Sequence, residues 1–324
     1  MQWIGATSSR ALGILAGGVA DAVFADPRRG HPVAAYGRAV ARLERRLYRD
    51  SRGRGLLFTT AAVGVPVLAA SATQRACRNR PFVGAVLTAA ATWAALGGTS
   101  LAREGAVMAR LLETDDLPAA RRRLSHLCAR EADGLTAPEL ARATVESLAE
   151  NTSDAVVAPA VWAAVAGLPG VVGYRAANTL DAMVGYLSPR YTRFGWASAR
   201  FDDLANWVPA RLTGVLTVLA APLVGGNPRR TWRVLRTDAA QHPSPNAGHP
   251  EAAAAGALGV TLGGVNTYGG HREARPTLGD GRAVTVADLR RAVRLTRWVS
   301  GAGVVVAAAS AAGLARAARG LRGC

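Results

Sequence analysis

GLLFTTAAVGVPVLAASA (55–72) and PFVGAVLTAAATWAALGGTSLA (81–102) decide the fold of this chain. Neither run carries a charge, and each is close to the roughly 20 apolar residues that a helix needs to cross a bilayer. The polar link TQRACRNR (73–80) between them makes the pair a spanning hairpin. Working outward, 155–173 and 298–315 are also uncharged, while 11–25 contains Asp21 and 207–224 contains Arg211. The pattern predicts an all-α, polytopic integral membrane protein with about four to six membrane segments. The competing reading, buried core helices of a soluble protein, fits poorly because soluble helices of this length seldom lack charge on every face. No stretch alternates apolar and polar residues for long, so a parallel sheet is not expected.

The 324 residues carry a formal charge of +17, and all 39 basic residues are Arg. Such a balance often marks a nucleic-acid binder. Here the Arg residues cluster between apolar runs, as in a multispanning membrane protein, and no nucleic-acid partner is expected. The segments 26–54 and 103–154 are Arg-rich, and placing both in the cytoplasm satisfies the positive-inside tendency. The segment 225–297 joins them, giving one membrane-embedded catalytic domain over 1–324 with three cytoplasmic loop regions. The GLPG break at 167–170 predicts that 155–173 is broken or re-entrant, which is permitted where it lines a protein cavity. ARLERRLYRD (41–50) reads as a basic amphipathic helix on the anionic inner leaflet. Thr136 ahead of Glu139 and Thr285 ahead of Asp288 read as helix starts. The region 225–284 reads as Gly- and Pro-rich loops with a short Ala-rich helix at 251–258.

The polar stretches near the apolar runs carry the chemistry. ESLAENTSD (146–154), NTLDAMVGY (178–186) and RFDDLANWVPAR (200–211) concentrate carboxylates and amides where charge is costly. In a helix, Glu146, Glu150 and Asp154 share one face at i, i+4 and i+8. Asn178 and Asp181 do so at i, i+3, and Asp202 and Asp203 precede Asn206 by four and three residues. Hard cations such as Mg²⁺ prefer oxygen ligands, so Glu146, Glu150, Asp154, Asp181, Asp202 and Asp203 are candidate metal ligands. The competing reading is a set of caps and helix-surface pairs. ADPRRGHPVAAYGR (25–38) places Asp26, Arg28, Arg29 and His31 at the membrane surface, as a phosphate contact or a positive-inside anchor. QHPSPNAGHPEA (241–252) presents His242, Ser244 and Asn246 from a rigid loop, or is only a helix entry. LGGVNTYGG (262–270) sets glycines around Asn266 and Tyr268, and glycine lets backbone N–H groups approach phosphate. There is no P-loop, no Gly-x-Ser-x-Gly elbow, no zinc spacing among Cys77, Cys128 and Cys324, and no Glu-x-x-His di-iron pattern.

The ordered series DPRRGHPV, VESLAENTSDAVVAP, NTLDAMVGY, RFGWASARFDDLANWVPARL, HPSPNAGHPEAAAAGALGV and LGGVNTYGG resembles the CobD/CbiB family of cobalamin biosynthesis, the adenosylcobinamide-phosphate synthases. The resemblance runs from about residue 12 to 315. It implies an integral-membrane enzyme that joins (adenosyl)cobyric acid, through its f-side-chain carboxylate, to (R)-1-amino-2-propanol or its O-phosphate, with ATP and Mg²⁺. On that reading Glu150, Asp154, Asp181 and Arg200 are catalytic, with Glu150 the base that takes the proton from the attacking ammonium. Arg200, Arg211 and Arg175 neutralise phosphates. Asn151, Asn178, Asn206, Asn246, Asn266, Tyr268 and His242 contact substrate, and the flat corrin lies against Trp196, Trp207 and Tyr186. The active site is expected to face the cytoplasm from the cell membrane, with other corrinoid-pathway enzymes as expected associates. Two other classes stay open: a Mg²⁺-dependent intramembrane prenyl or alcohol-phosphate transferase, and a non-enzymatic corrinoid transporter or scaffold.

Overall fold

The computed structural model describes residues 6–26, 30–268 and 271–320; the side chains of 266–268 and 271–273 lie outside that description, as do Arg28 and Arg29. In chain order the helices are α1 (Ala6–Phe24), α2 (Pro32–Leu47), α3 (Arg52–Ala76), α4 (Pro81–Ala95), α5 (Gly98–Glu113), α6 (Leu117–Leu124), α7 (Ala137–Thr152), α8 (Ala158–Ala166) and α9 (Leu168–Leu180). There follow α10 (Trp196–Ala220), α11 (Pro228–Asp238), α12 (Gly248–Leu258), strands β1 (Val260–Tyr268), β2 (His271–Leu278) and β3 (Arg282–Ala283), and α13 (Val286–Gly320). Among the described residues, four stretches are long and apolar enough to cross a membrane: Arg52–Ala76, Pro81–Glu113, Trp196–Val224 and Val286–Leu314. The chain is therefore an all-α polytopic membrane protein in its main architecture. The interrupted 207–224 run becomes part of a candidate span, whereas 155–173 does not. Gly167, at φ +69°, separates α8 from α9 where the GLPG break was expected.

The chain divides into two compact units, one of Met1–Gly97, Ala155–Asn206 and Gly303–Cys324, the other of Gly98–Asp154 and Trp207–Ala302. In the first, small residues let helices approach closely, as they must where lipid provides no hydrophobic drive between spans. Gly13 and Gly17 of α1 lie against Thr88 and Thr92 of α4, and a Cβ at either glycine would overlap those threonines. Ile14, Ala160, Ala163, Ala164, Ala307 and Ala308 form the adjoining core. A second core joins Val40 of α2, Phe58 and Ala62 of α3, and Leu180, Val184 and Phe194. Pro66 sits inside α3 and lacks the N–H that would bond the Ala62 carbonyl. The Tyr36 hydroxyl of α2 donates to that carbonyl instead, at 3.0 Å.

The second unit is built around α12, whose residues from Pro250 to Leu258 are all buried. It also departs twice from the expected loops at 225–284, first in the helix α11 (Pro228–Asp238) and then in a small sheet. There β1 and β2 pair antiparallel with Leu262 opposite Leu278 and Tyr268 opposite His271, and β1 pairs β3 in parallel at Val260 and Arg282. The alternation signal is weak because the ladder is broken by a bulge between Leu262 and Gly264. Gly263 and Gly264 take φ of +83° and +92° there, a conformation only glycine adopts freely. The expected caps form: Glu139 accepts from the Thr136 backbone N–H at 2.8 Å, and Asp288 accepts from the Thr285 N–H at 2.9 Å.

Tyr36→Phe should leave the Ala62 carbonyl without a donor and cost about 1–3 kcal/mol. Denaturant unfolding of the detergent-solubilised protein checks this; an unchanged midpoint would show that the hydroxyl does not support the proline-containing span.

Candidate functional site

The acidic faces resolve into two separate groups, one in each unit. In the first unit the group centres on Asp202 of α10, which is buried. Asn206 Nδ2 donates to Asp202 Oδ2 at 2.9 Å and Asn178 Nδ2 approaches Oδ1 at 3.4 Å. Tyr174 Oη donates to Asn206 Oδ1 at 2.9 Å, and Arg175 Nη1 donates to Asn178 Oδ1 at 3.2 Å. A chain of polar groups thus runs Tyr174–Asn206–Asp202–Asn178–Arg175. Asp181 is close enough to act on Asp202 electrostatically. It opens a π-helical turn, Asp181–Gly185, and its carboxylate lies over Gly185, where a Cβ would collide with it. Such single π turns in α-helical runs are frequent at functional sites. Asp203 points elsewhere: it pairs with Arg200 at 3.7 Å on a face where Arg200 is 71% exposed. Trp196 is also exposed, with the Arg52 guanidinium 5.7 Å from its ring centroid.

In the second unit Glu146 is a buried acceptor. Arg130 Nη2 donates to its Oε2 at 2.6 Å, while Arg142 and the Gly263 N–H donate to Oε1 at 3.4 and 2.8 Å. In the LGGVNTYGG segment, where glycines could admit a phosphate, the backbone of Gly263 is committed internally: its N–H donates to Glu146 and its carbonyl accepts from Arg142; Gly269 and Gly270 lie outside the described residues. Glu146, expected among the metal ligands, has both oxygens engaged by these donors.

Glu150, one turn along α7, is exposed yet surrounded by charged groups. Burial of its surroundings pushes its carboxyl up, Arg275 pulls it down, Glu146 adds to the rise and Arg130 opposes it. Glu251 of α12 is the deepest of these groups at 3% exposure. Burial, then Glu150 and Glu146, push it well above the usual carboxylate range, against Arg275 and Arg130. His242 Nε2 lies 3.7 Å from Glu251 Oε1, too long for a direct hydrogen bond. The Ser244 N–H holds the ring through Nδ1 at 3.0 Å.

Arg211 stacks on Trp207 at 4.2 Å, donates to the Trp207 carbonyl, and reaches Asn246 Oδ1 at 3.4 Å. His249 lies beside it, pushed below its ordinary value by burial and by the Arg211 charge. Asn151 spends its amide on Ser147, at 2.9 Å to the carbonyl. Asp154 falls in the π turn Ser153–Val157, so the face expected from regular i, i+4, i+8 spacing is altered before its third member. Asn266 and Tyr268 lie on β1, with side chains outside the described residues.

Sequence reasoning missed Glu251, Arg130, Arg142, Arg275, Tyr174 and His249. A single carboxylate heading the apolar PEAAAAGAL run was a usable signal for Glu251, as was i, i+4 spacing for Arg142 with Glu146 and for Tyr174 with Asn178. Nothing local marks Arg130.

Among the described residues no three His, Cys, Asp or Glu side chains group closely enough to hold a metal ion by themselves. Mg²⁺ usually takes one or two carboxylates, with water and substrate phosphate completing its shell. Asp181 and Asp202 are a donor set of that kind.

Folded as a polytopic helical membrane protein with buried carboxylate networks, the chain is of a class in which intramembrane charge serves function. Residues 14–296 match the family described as CobD/CbiB protein. Relatives named cobalamin biosynthesis protein CobD share 57% identity in Mycobacterium tuberculosis (92% of this chain, 95% of the relative) and 49% in Geobacter metallireducens (80% and 83%). One from Rhodobacter capsulatus shares 44% (89% and 91%). No solved structure matches the chain. The chain belongs to the CobD/CbiB family.

Two outcomes follow from the second cluster. Arg130→Met should cost about 1–3 kcal/mol by removing the 2.6 Å donor to Glu146 Oε2 while Arg142 and Gly263 still hold Oε1, read by denaturant unfolding; an unchanged midpoint would show that the pair does not support the fold. Glu251 holds its proton more tightly when folded than when unfolded. Its contribution to stability is full below the ordinary carboxylate range and is lost as pH rises through the raised folded value. Glu251→Gln should therefore flatten the decline of stability with rising pH; an unchanged slope would mean that Glu251 does not titrate this way.

Proposed function

We propose that the chain is a corrinoid amide-bond-forming enzyme of cobalamin biosynthesis. It attaches (R)-1-amino-2-propanol, or its O-phosphate, to the f carboxylate of (adenosyl)cobyric acid and consumes ATP. The observation that carries this reading is the pair of buried carboxylate networks, around Asp202 and around Glu251, within the family-matched span. A carboxylate does not condense with an amine in water unaided. The acid oxygen must first take the terminal phosphoryl group of ATP, releasing ADP. The amine nitrogen then attacks the acyl carbon, loses a proton, and phosphate leaves.

The chain's own residues fit these steps. Glu150, solvent-accessible with a raised affinity for protons, suits the role of accepting the ammonium proton. Glu251, whose proton affinity burial and Glu150 raise, is a further proton-holding group near it. Arg211, flanked by Asn246 and the neutral-favouring His249, suits a phosphate. Asp181 and Asp202 would hold Mg²⁺, which when bound offsets the charge of phosphate oxygens during transfer. Asn178 and Asn206 fix the Asp202 carboxylate, so its oxygens need little reorganisation. The exposed ring of Trp207 offers an apolar platform for a macrocycle, though Arg211 already covers part of it. The Arg-rich segments 26–54, 103–154 and 225–297, placed in the cytoplasm by the positive-inside tendency, support a cell-membrane protein whose site faces the cytoplasm.

The purified protein with cobyric acid, either amine and Mg-ATP should yield the amide and ADP in equal amounts by mass spectrometry. Glu150→Ala should lower turnover by about 10²–10⁴-fold with membrane insertion intact. No amide product with either amine would overturn the assignment. Turnover of a polyprenyl diphosphate in its place would move the chain to a prenyl-transferase class.

A further inference from the structure

A cavity lies in the first unit, at the Arg175 end of the polar chain that includes Asp202. It has a volume of about 440 Å³ and is walled by α2, α3, α4 and α9. Its lining is almost wholly apolar, with Val33, Pro66, Ala91, Ala94 and Val172 typical, and one charged residue, Arg175, at its edge. The size lies within the range of about 300–1,000 Å³ common for ligand sites.

Three observations identify the occupant. First, two of the walls, α3 and α4, belong to stretches apolar enough to span a membrane, and Ala90 and Pro32 at the rim are exposed. The opening therefore meets hydrocarbon. Second, the cavity is amphiphilic: Val33, Pro66, Ala91, Ala94 and Val172 line it with apolar surface, while the guanidinium of Arg175 stands at one edge, a pairing that suits a molecule with an apolar chain and an anionic head. Third, Arg175 Nη1 is spent on Asn178, but its buried Nε has no partner. A buried guanidinium N–H without an acceptor is costly, and a phosphate oxygen would satisfy it.

We propose that this cavity binds one phospholipid of the surrounding bilayer, with an acyl chain between α3, α4 and α9 and the phosphate on Arg175. The site does not depend on which reaction the acidic clusters carry out. It ties a structural lipid to the guanidinium that also holds Asn178.

Native mass spectrometry of the full chain released from membranes in mild detergent tests this. The wild type should retain one phospholipid. Ala94→Phe, which fills the cavity, should abolish that adduct, and Arg175→Gln should weaken its retention about tenfold, the change a lost interaction of about 1.4 kcal/mol gives. As a check independent of variant folding, the wild type in vesicles of phosphatidylglycerol and phosphatidylethanolamine is irradiated with a phospholipid bearing a mid-chain diazirine. Labelling should concentrate on peptides containing Val33, Pro66 and Ala91. Labelling absent from those peptides would overturn the proposal. So would stoichiometric recovery of a neutral isoprenoid in place of a phospholipid.

Discussion

Glu146 decides what the rest of its unit can do. Its two carboxylate oxygens collect Arg130 from the segment before α7, Arg142 from α7 itself, and the backbone N–H of Gly263 from β1. A buried carboxylate without such partners would take up a proton or pull water inward. With them, one side chain fastens a loop, a helix and a strand. It also supplies the fixed negative charge that helps raise the proton affinity of Glu150 and Glu251.

Asp202 is managed differently. Its hydrogen-bond partners are the neutral amides of Asn178 and Asn206. Amide donors orient a carboxylate without cancelling its charge, which leaves it able to attract a cation. The nearby π turn has a related effect. By adding a residue to the turn, it places Asp181 over the bare backbone of Gly185. The two units therefore hold their carboxylates differently, one set among guanidinium groups and other carboxylates, the other among neutral amides.

The large features of the fold were legible because hydrophobicity is a property of long windows. The four span-length stretches, the break at Gly167 and the caps at Thr136 and Thr285 all follow from runs, glycine and capping chemistry visible in the sequence. The sheet was not legible. Its strands are short or bulged, and its two central glycines hide the alternation that would announce it. The Glu146, Glu150 and Asp154 face was legible only in part, because helical periodicity cannot register a π turn between Thr152 and Ala158. Arg130 and Gly263 escaped entirely. Their importance lies in a meeting of segments far apart in the chain, which no local pattern encodes.

That separation also orders the making of the protein. Arg130 and Glu146 are 16 residues apart, whereas Glu146 and Gly263 are separated by 117. Synthesis proceeds at about 5–20 residues per second, so the carboxylate leaves the ribosome several seconds before its strand partner exists. The arginine pair can shelter Glu146 throughout that interval, when an unpaired charge beside a membrane would be most exposed to mispairing. The short-range bond acts as the chaperone of the long-range one, and the sheet arrives at a carboxylate already in place.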